Sequence, residues 1–221
     1  MKILAFDTSA DILSICLLNG QNQFLTETRG ELKHAQTLLP GINHVLSQAG
    51  LTPADLDLVV CSRGPGSFTG LRIGMATAKG LSEGTGVPVF SVDTLDALAY
   101  PYRYCHGAVI PVLDAKKSRF YAALYTEGRR KTDQLDCGHE ELLELSSDYP
   151  QVLLTGPGAF LLQKAWNDRR QGVGLAPGPF QAVAASLAVL GKEGFQEKGA
   201  DLPGMGPVYL RKSDAEIQRS S

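Results

Sequence analysis

Two runs of β-branched and apolar residues open the chain, Lys2 to Thr8 and Ile12 to Leu18, separated by the short polar turn Ser9-Ala10-Asp11. A third segment, Asn22 to Thr28, alternates more openly after an Asn19-Gly20 turn, so the pattern predicts a three-strand meander. The period then changes. Leu32, Ala35, Leu38, Leu39, Ile42, Val45, Leu46 and Ala49 fall within an arc of about 140° at 100° per residue, the stripe of an amphipathic helix. Gly50 closes it as a C-cap, and Pro40 sits on the polar arc, where it kinks the helix without breaking the buried stripe. A fourth strand, Asp57 to Ser62, runs into the glycine-rich turn Gly64 to Gly70. A second helix to about Glu83, a fifth strand from Pro88 to Val92 and a third helix capped by Asp93 or Thr94 follow.

The order β-β-β-α-β-α-β-α is that of one ribonuclease-H-like unit, a meander followed by right-handed crossovers. It restarts further on. Ala108 to Leu113 and Phe120 to Thr126 read as strands, with a third around Gln134. A helix at Glu140 to Ser146, a strand at Val152 to Thr155 and helices at Ala159 to Trp166 and Gln181 to Leu190 complete the second pattern. The predicted fold is α/β: two tandem ribonuclease-H-like lobes of the actin and hexokinase (ASKHA) type, with mixed sheets flanked by helices. The predicted boundary lies near Tyr100-Pro101, giving a lobe of residues 1–100 and a smaller one of residues 101–221.

Composition narrows the function. Of 221 residues, 43% are hydrophobic and 20% charged, as in a globular protein with a sizeable core. The net charge is −2, and the longest basic run, Arg129-Arg130-Lys131, reads as a solvated turn. A protein gripping RNA alone is expected to show a basic face, so any RNA charge is expected from another subunit. Met1-Lys2 runs directly into the first strand, with no leader pattern and no apolar run long enough for a bilayer, which predicts a cytoplasmic protein. Cys16, Cys61, Cys105 and Cys137 form no C-x-x-C pair, the usage of a reducing compartment, and no metal site is expected.

Three features bear on chemistry. In Gly64-Pro65-Gly66-Ser67-Phe68-Thr69-Gly70, backbone N–H groups at a helix start suit either an anion or a tight turn capped by Ser67 or Thr69. The G-x-G-x-x-G, Walker and G-x-S-x-G patterns all fail to match it. In the helix that follows, Gly70, Gly74 and Ala78 recur at four-residue spacing opposite Leu71 and Met75. A mid-helix glycine costs about 0.5–1 kcal/mol against alanine, so Gly74 predicts something packed close to the backbone, either a helix of this chain or a partner. Finally, Asp7 and Ser9 end the first strand and Asp114 ends the matching strand of the second pattern. Such acids hold Mg²⁺ and phosphate in ATP-using proteins of this architecture, or simply cap turns. His34 and His44, ten residues apart, form no ligand pair and read as solvated or interface histidines.

Five pieces together resemble the TsaB (YeaZ) family of bacterial tRNA-modification proteins. They are Ile3-Leu4-Ala5-Phe6-Asp7-Thr8-Ser9; His34 with Leu38-Leu39-Pro40; Gly64 to Gly74 continued by Ala78-Lys79-Gly80-Leu81; Asp114-Ala115-Lys116-Lys117 with Phe120-Tyr121; and Pro207-Val208-Tyr209-Leu210-Arg211. The likeness spans essentially the whole chain and is thinner between residues 127 and 200. It implies a non-catalytic subunit that supports the paralogue TsaD in attaching a threonylcarbamoyl group to the tRNA adenosine next to the anticodon. TsaE joins them, TsaC makes the activated intermediate, homodimers form through the same surface as the heterodimer, and tRNA is met only through the complex.

The implied partner surface is Leu38, Leu39, Ile42, Gly70, Gly74, Met75 and Ala78. A vestigial nucleotide site would comprise Asp7, Ser9, Gly64, Gly66, Ser67, Thr69 and Asp114, with no cofactor in the isolated chain and ATP or ADP with Mg²⁺ confined to the interface of the complex. The His-x-x-x-His metal pair of the paralogue is absent, because Leu38 stands where the second histidine would be. Ser118-Arg119 departs from the small and acidic residues expected after Asp114. The rival readings are an actin-like small-molecule kinase or nucleotide hydrolase, which predicts Mg²⁺-dependent ATP binding, and a peptidase, which lacks a nucleophile or metal.

Overall fold

A computed structural model describes residues 1–29, 33–166, 169–177 and 183–211. Its elements run β1 (Lys2–Asp7), β2 (Ile12–Asn19), β3 (Asn22–Arg29), α1 (His34–Gln48), β4 (Leu58–Gly64), α2 (Phe68–Thr85), β5 (Val89–Asp93) and α3 (Thr94–Ala99). There follow β6 (Ala108–Asp114), β7 (Arg119–Ala122), β8 (Tyr125–Thr126), β9 (Arg129–Arg130), β10 (Leu135–Gly138), α4 (His139–Leu145), β11 (Val152–Thr155), α5 (Ala159–Trp166), β12 (Val173–Leu175) and α6 (Val183–Lys198). The α/β fold class is that expected. Leu32 and Gln181, counted into helices from the sequence, lie outside the described residues.

The first sheet has the order β3-β2-β1-β4-β5: antiparallel through the meander, then parallel where α1 and α2 supply the crossovers. Its faces are both covered, which explains the unbroken apolar runs Ile3-Leu4-Ala5-Phe6 in β1 and Leu58-Val59-Val60-Cys61 in β4, which do not alternate. On one face Leu4, Phe6, Ile15, Leu17, Val59 and Cys61 meet Leu38, Ile42, Val45 and Leu46 of α1 and Met75 and Ala78 of α2. On the other lies α6, where Gly191 lets the helix descend onto Val60 and Gly194 meets the Phe90 ring.

The second sheet repeats the order as β10-β7-β6-β11-β12, with β8 and β9 as a short hairpin beside β6. Ala108, Ile110, Val112, Val152 and Leu154 pack against Leu142 of α4 and Leu162 and Trp166 of α5. The strand expected over Phe120 to Thr126 therefore breaks in two. Ala123 and Leu124 lie between β7 and β8, and Leu124 N–H bonds Thr132 Oγ1 at 3.1 Å while Lys131 N–H bonds the Leu124 carbonyl at 2.8 Å.

One boundary differs from expectation. Contacts group residues 1–97 with 182–208 and residues 98–181 with 209–221. The segment from Val183 to Val208 thus belongs with the first lobe, not with the second. The physical reason is the apolar face of β1, β2, β4 and β5, which α6 covers.

Candidate functional site

The turn between β4 and α2 is built by close approach to its own chain. Ser67 N–H donates to the Ser9 carbonyl at 2.6 Å, and Thr8 Oγ1 donates to the Gly70 carbonyl at 2.8 Å. A Cβ on Gly66 would stand 2.5 Å from the Ser9 carbonyl oxygen, and one on Gly70 would overlap the Thr8 carbonyl oxygen. Gly64, at φ +122°, faces the Val208 carbonyl, and Val208 N–H returns to the Arg63 carbonyl at 2.7 Å. The glycines are thus explained by neighbouring backbone, and the Ser67 donor at the helix start is already used. Ser67 also caps α2, its Oγ accepting from Gly70 N–H at 3.3 Å, while Thr69 points to solvent.

Asp7 sits beneath this turn and is buried. Its carboxylate accepts from Ser9 N–H at 3.0 Å, Ser9 Oγ at 3.1 Å and Ser62 Oγ at 2.5 Å. Burial pushes its pKa up, opposed by the hydrogen bonds from Ser62 and Ser9 and by the nearby His34. Both oxygens have partners inside the chain, so Asp7 organises the β1–β2 turn. His34 is not the solvated or interface residue expected: it is buried, with Nε2 2.7 Å from the Ala10 carbonyl oxygen, and it ties the start of α1 to the same turn. Asp114 is a half-exposed turn cap, accepting from Lys116 N–H at 2.7 Å and Lys116 Nζ at 2.8 Å. Beyond it Lys116, Lys117 and Ser118 all hold positive φ, and Arg119 turns back to Asp136 at 2.8 Å. Arg211 grips the same carboxylate from the other side, at 2.8 Å from both oxygens, which gives the end of the Pro207 to Arg211 motif a structural role. No group of three or more His, Cys, Asp or Glu that could hold a metal ion occurs among the described residues.

The expected partner surface needs correcting. Leu38, Ile42, Gly70, Gly74, Met75 and Ala78 are all buried within the first lobe, and only Leu39, 52% exposed, faces solvent. Gly74 makes room for this chain's own first strand: a Cβ there would stand 2.5 Å from Thr8 Oγ1 and 3.8 Å from the Phe6 ring. The opposite side of α2 is the open one. Thr69, Ala76, Gly80 and Gly84 are exposed, with half-buried Ile73 among them. At 100° per residue these five positions share an arc of about 80°. Among the described residues nothing lies within 4 Å of a Cβ built on Gly80 or Gly84, so no contact there accounts for either glycine. The signal was present in the sequence as Ala76-x-x-x-Gly80-x-x-x-Gly84, obscured by the neighbouring Gly70-Gly74-Ala78 series. Alpha-1 runs beside α2 and adds exposed Gln36, Leu39, Pro40 and Asn43.

Comparison with known proteins decides the family. The chain is 32% identical over 228 residues to the tRNA threonylcarbamoyladenosine biosynthesis protein TsaB of Bacillus subtilis, covering 99% of this chain and 97% of that one. The chain belongs to the TsaB family. A family model described as TsaD, tRNA N6-adenosine threonylcarbamoyltransferase, matches residues 27–146, the stretch from β3 to α4. For the fold, a crystal structure from Pseudomonas aeruginosa, described as an uncharacterized protein with similarity to peptidase YEAZ, superposes with a TM-score of 0.80 at 24% identity, covering 95% of this chain and 99% of that one. A Bacteroides thetaiotaomicron protein with an actin-like ATPase fold reaches 0.53 at 11% identity, over 85% of this chain and 95% of that one. A TsaB-family member with two actin-like lobes accounts for all of these matches.

Proposed function

We propose that this chain is the supporting, non-catalytic subunit of a tRNA threonylcarbamoyladenosine machine, and that it binds a TsaD-type catalytic subunit through the outward faces of α1 and α2. The observation that carries the proposal is the pair Gly80 and Gly84: each weakens the helix by about 0.5–1 kcal/mol, and neither is needed by any atom of the described residues. A foreign helix pressed close against α2 would use the space a side chain would fill. The length of the likeness to TsaB supplies the reaction. On this reading the free chain pairs with itself through the same face, TsaE joins the heterodimer, TsaC supplies the activated threonylcarbamoyl group, and any nucleotide with Mg²⁺ sits at the interface of the assembly.

Co-elution of purified chain with its TsaD-type partner on a sizing column tests this. Gly80→Leu should abolish co-elution while the melting temperature of the chain holds or rises slightly. Unchanged co-elution by Gly80→Leu and Gly84→Leu together would end the proposal. The kinase reading has the Ser9 carbonyl against it, because that oxygen occupies the place where a phosphate would meet the turn. Calorimetry of the free chain with ATP and Mg²⁺ should show no binding.

A further inference from the structure

The second lobe carries an aromatic and basic surface that this reading leaves unused. Tyr104 is 82% exposed, beyond any other large apolar side chain among the described residues. It is not a loose ring. The Arg103 guanidinium lies 4.5 Å from the Tyr104 centroid and 4.1 Å from that of Tyr100, and Arg103 Nη1 donates to the Tyr100 carbonyl at 3.0 Å. Two rings and a carbonyl therefore fix the cation, and the cation in turn steadies one side of Tyr104. The β8–β9 hairpin backs onto the same residue: a Cβ on Gly128 would stand 2.9 Å from Arg103 Cβ. The next residues are the exposed Arg129, Arg130 and Lys131.

With Arg103 these make four cations against two carboxylates on the hairpin, Glu127 and Asp133, in a chain whose net charge is −2. Arg129 and Lys131 make no ion pair among the described residues. The exposed Tyr104 ring leaves surface free for a stacking partner. A base offers a flat π-face for that ring and a phosphate for the adjoining cations, whereas an acidic protein surface would use only the cations.

We propose that Tyr104 and the Arg129–Lys131 hairpin form an RNA-contacting surface, with an unpaired base stacked on Tyr104 and the flanking phosphates met by Arg129 and Lys131. The proposal rests on the reading of the chain as part of a tRNA-modifying assembly, and it revises the expectation that Arg129 to Lys131 is merely a solvated turn. RNA contact is then shared between this subunit and its partner.

The test uses the full chain bound to its TsaD-type partner and a fluorescein-labelled, unmodified tRNA transcript with adenosine after the anticodon, read by anisotropy between 50 and 200 mM salt. Tyr104→Ala should weaken RNA binding roughly 5- to 50-fold, and Tyr104→Phe should restore it. Arg129→Ala with Lys131→Ala should lower the slope of log affinity against log salt by about two. Partner co-elution and melting temperature should stay at wild-type values in every variant. RNA affinities within twofold of wild type, with an unaltered salt slope, would overturn the proposal. Loss of partner co-elution by Tyr104→Ala would also overturn it, making the surface a protein contact. If the wild-type chain fails to bind the partner, the supporting-subunit reading falls instead, and the same substitutions measured on the chain alone still decide the RNA surface.

Discussion

Both lobes contain Gly-Pro-Gly-x-Phe between the fourth strand of the sheet and the following helix, as Gly64 to Phe68 and Gly156 to Phe160. In the first lobe Gly64 lies against Val208 and Gly66 against Ser9. In the second, a Cβ on Gly156 would stand 2.6 Å from the Val112 carbonyl oxygen and one on Gly158 2.9 Å from Asp114 N. Each turn folds onto the end of its lobe's central strand. The repeat is therefore a packing device common to both lobes, and it signals neither phosphate nor partner by itself. What separates the lobes is the helix downstream: 18 residues with a bare glycine stripe in one case, 8 residues with Phe160 65% exposed in the other.

The strongest way to break this comparison is to add side chains at the turns. Gly66→Val drives a side chain into the Ser9 carbonyl, whose oxygen would stand 2.5 Å from the new Cβ, and at least about 4 kcal/mol of stability should be lost, seen as failure to fold or a collapsed melting temperature. Gly158→Val also meets backbone, but at 2.9 Å, and this smaller overlap should cost about 2–3 kcal/mol by urea titration. Equal costs at the two sites would show the turns to be interchangeable.

The strand-end acids should differ next. Asp7→Ala strands the Ser9 and Ser62 donors and should cost about 2–3 kcal/mol, whereas Asp114→Ala removes a half-exposed cap worth about 0.5–1 kcal/mol. Asp7 also has a pH signature. Its folded-state pKa is raised above the ordinary 3.8 by burial, so the unfolded chain ionises first and stability is lost as pH climbs from near 3.8 through the folded value. Asp7→Asn lacks this loss, and its stability relative to wild type should improve between pH 3 and 7 in urea titrations at each pH. A difference flat with pH would contradict the assignment. The smallest effect should be favourable: Gly80→Ala and Gly84→Ala, with open space around each Cβ, should each add about 0.5–1 kcal/mol to the free chain.

The order of strands and helices was legible because the apolar runs of β1, β2, β4 and β6 and the 3.6-residue period of α1 are strong local signals. The repeat of the whole pattern was legible for the same reason. The assignment of α6 to the first lobe was not, since its partners Val60 and Phe90 lie more than a hundred positions away in sequence. Nor was the side of α2 that stays open. Leu71, Met75 and Ala78 mark the buried half, but glycine carries no hydropathy to tell a buried position such as Gly74 from a bare one such as Gly80. His34 was misread because the carbonyl it meets, at Ala10, belongs to a turn whose course a helical wheel does not describe.

The placement of α6 also bears on how the molecule is made. A ribosome delivers β1 to β5 first, yet one apolar face of that sheet waits for residues 183–198, which emerge only after the whole second sheet. The early product is an unfinished sandwich in need of protection, and cutting the gene after residue 100 yields a fragment with half its core exposed to water. The first lobe therefore completes its core only after the second sheet has been made.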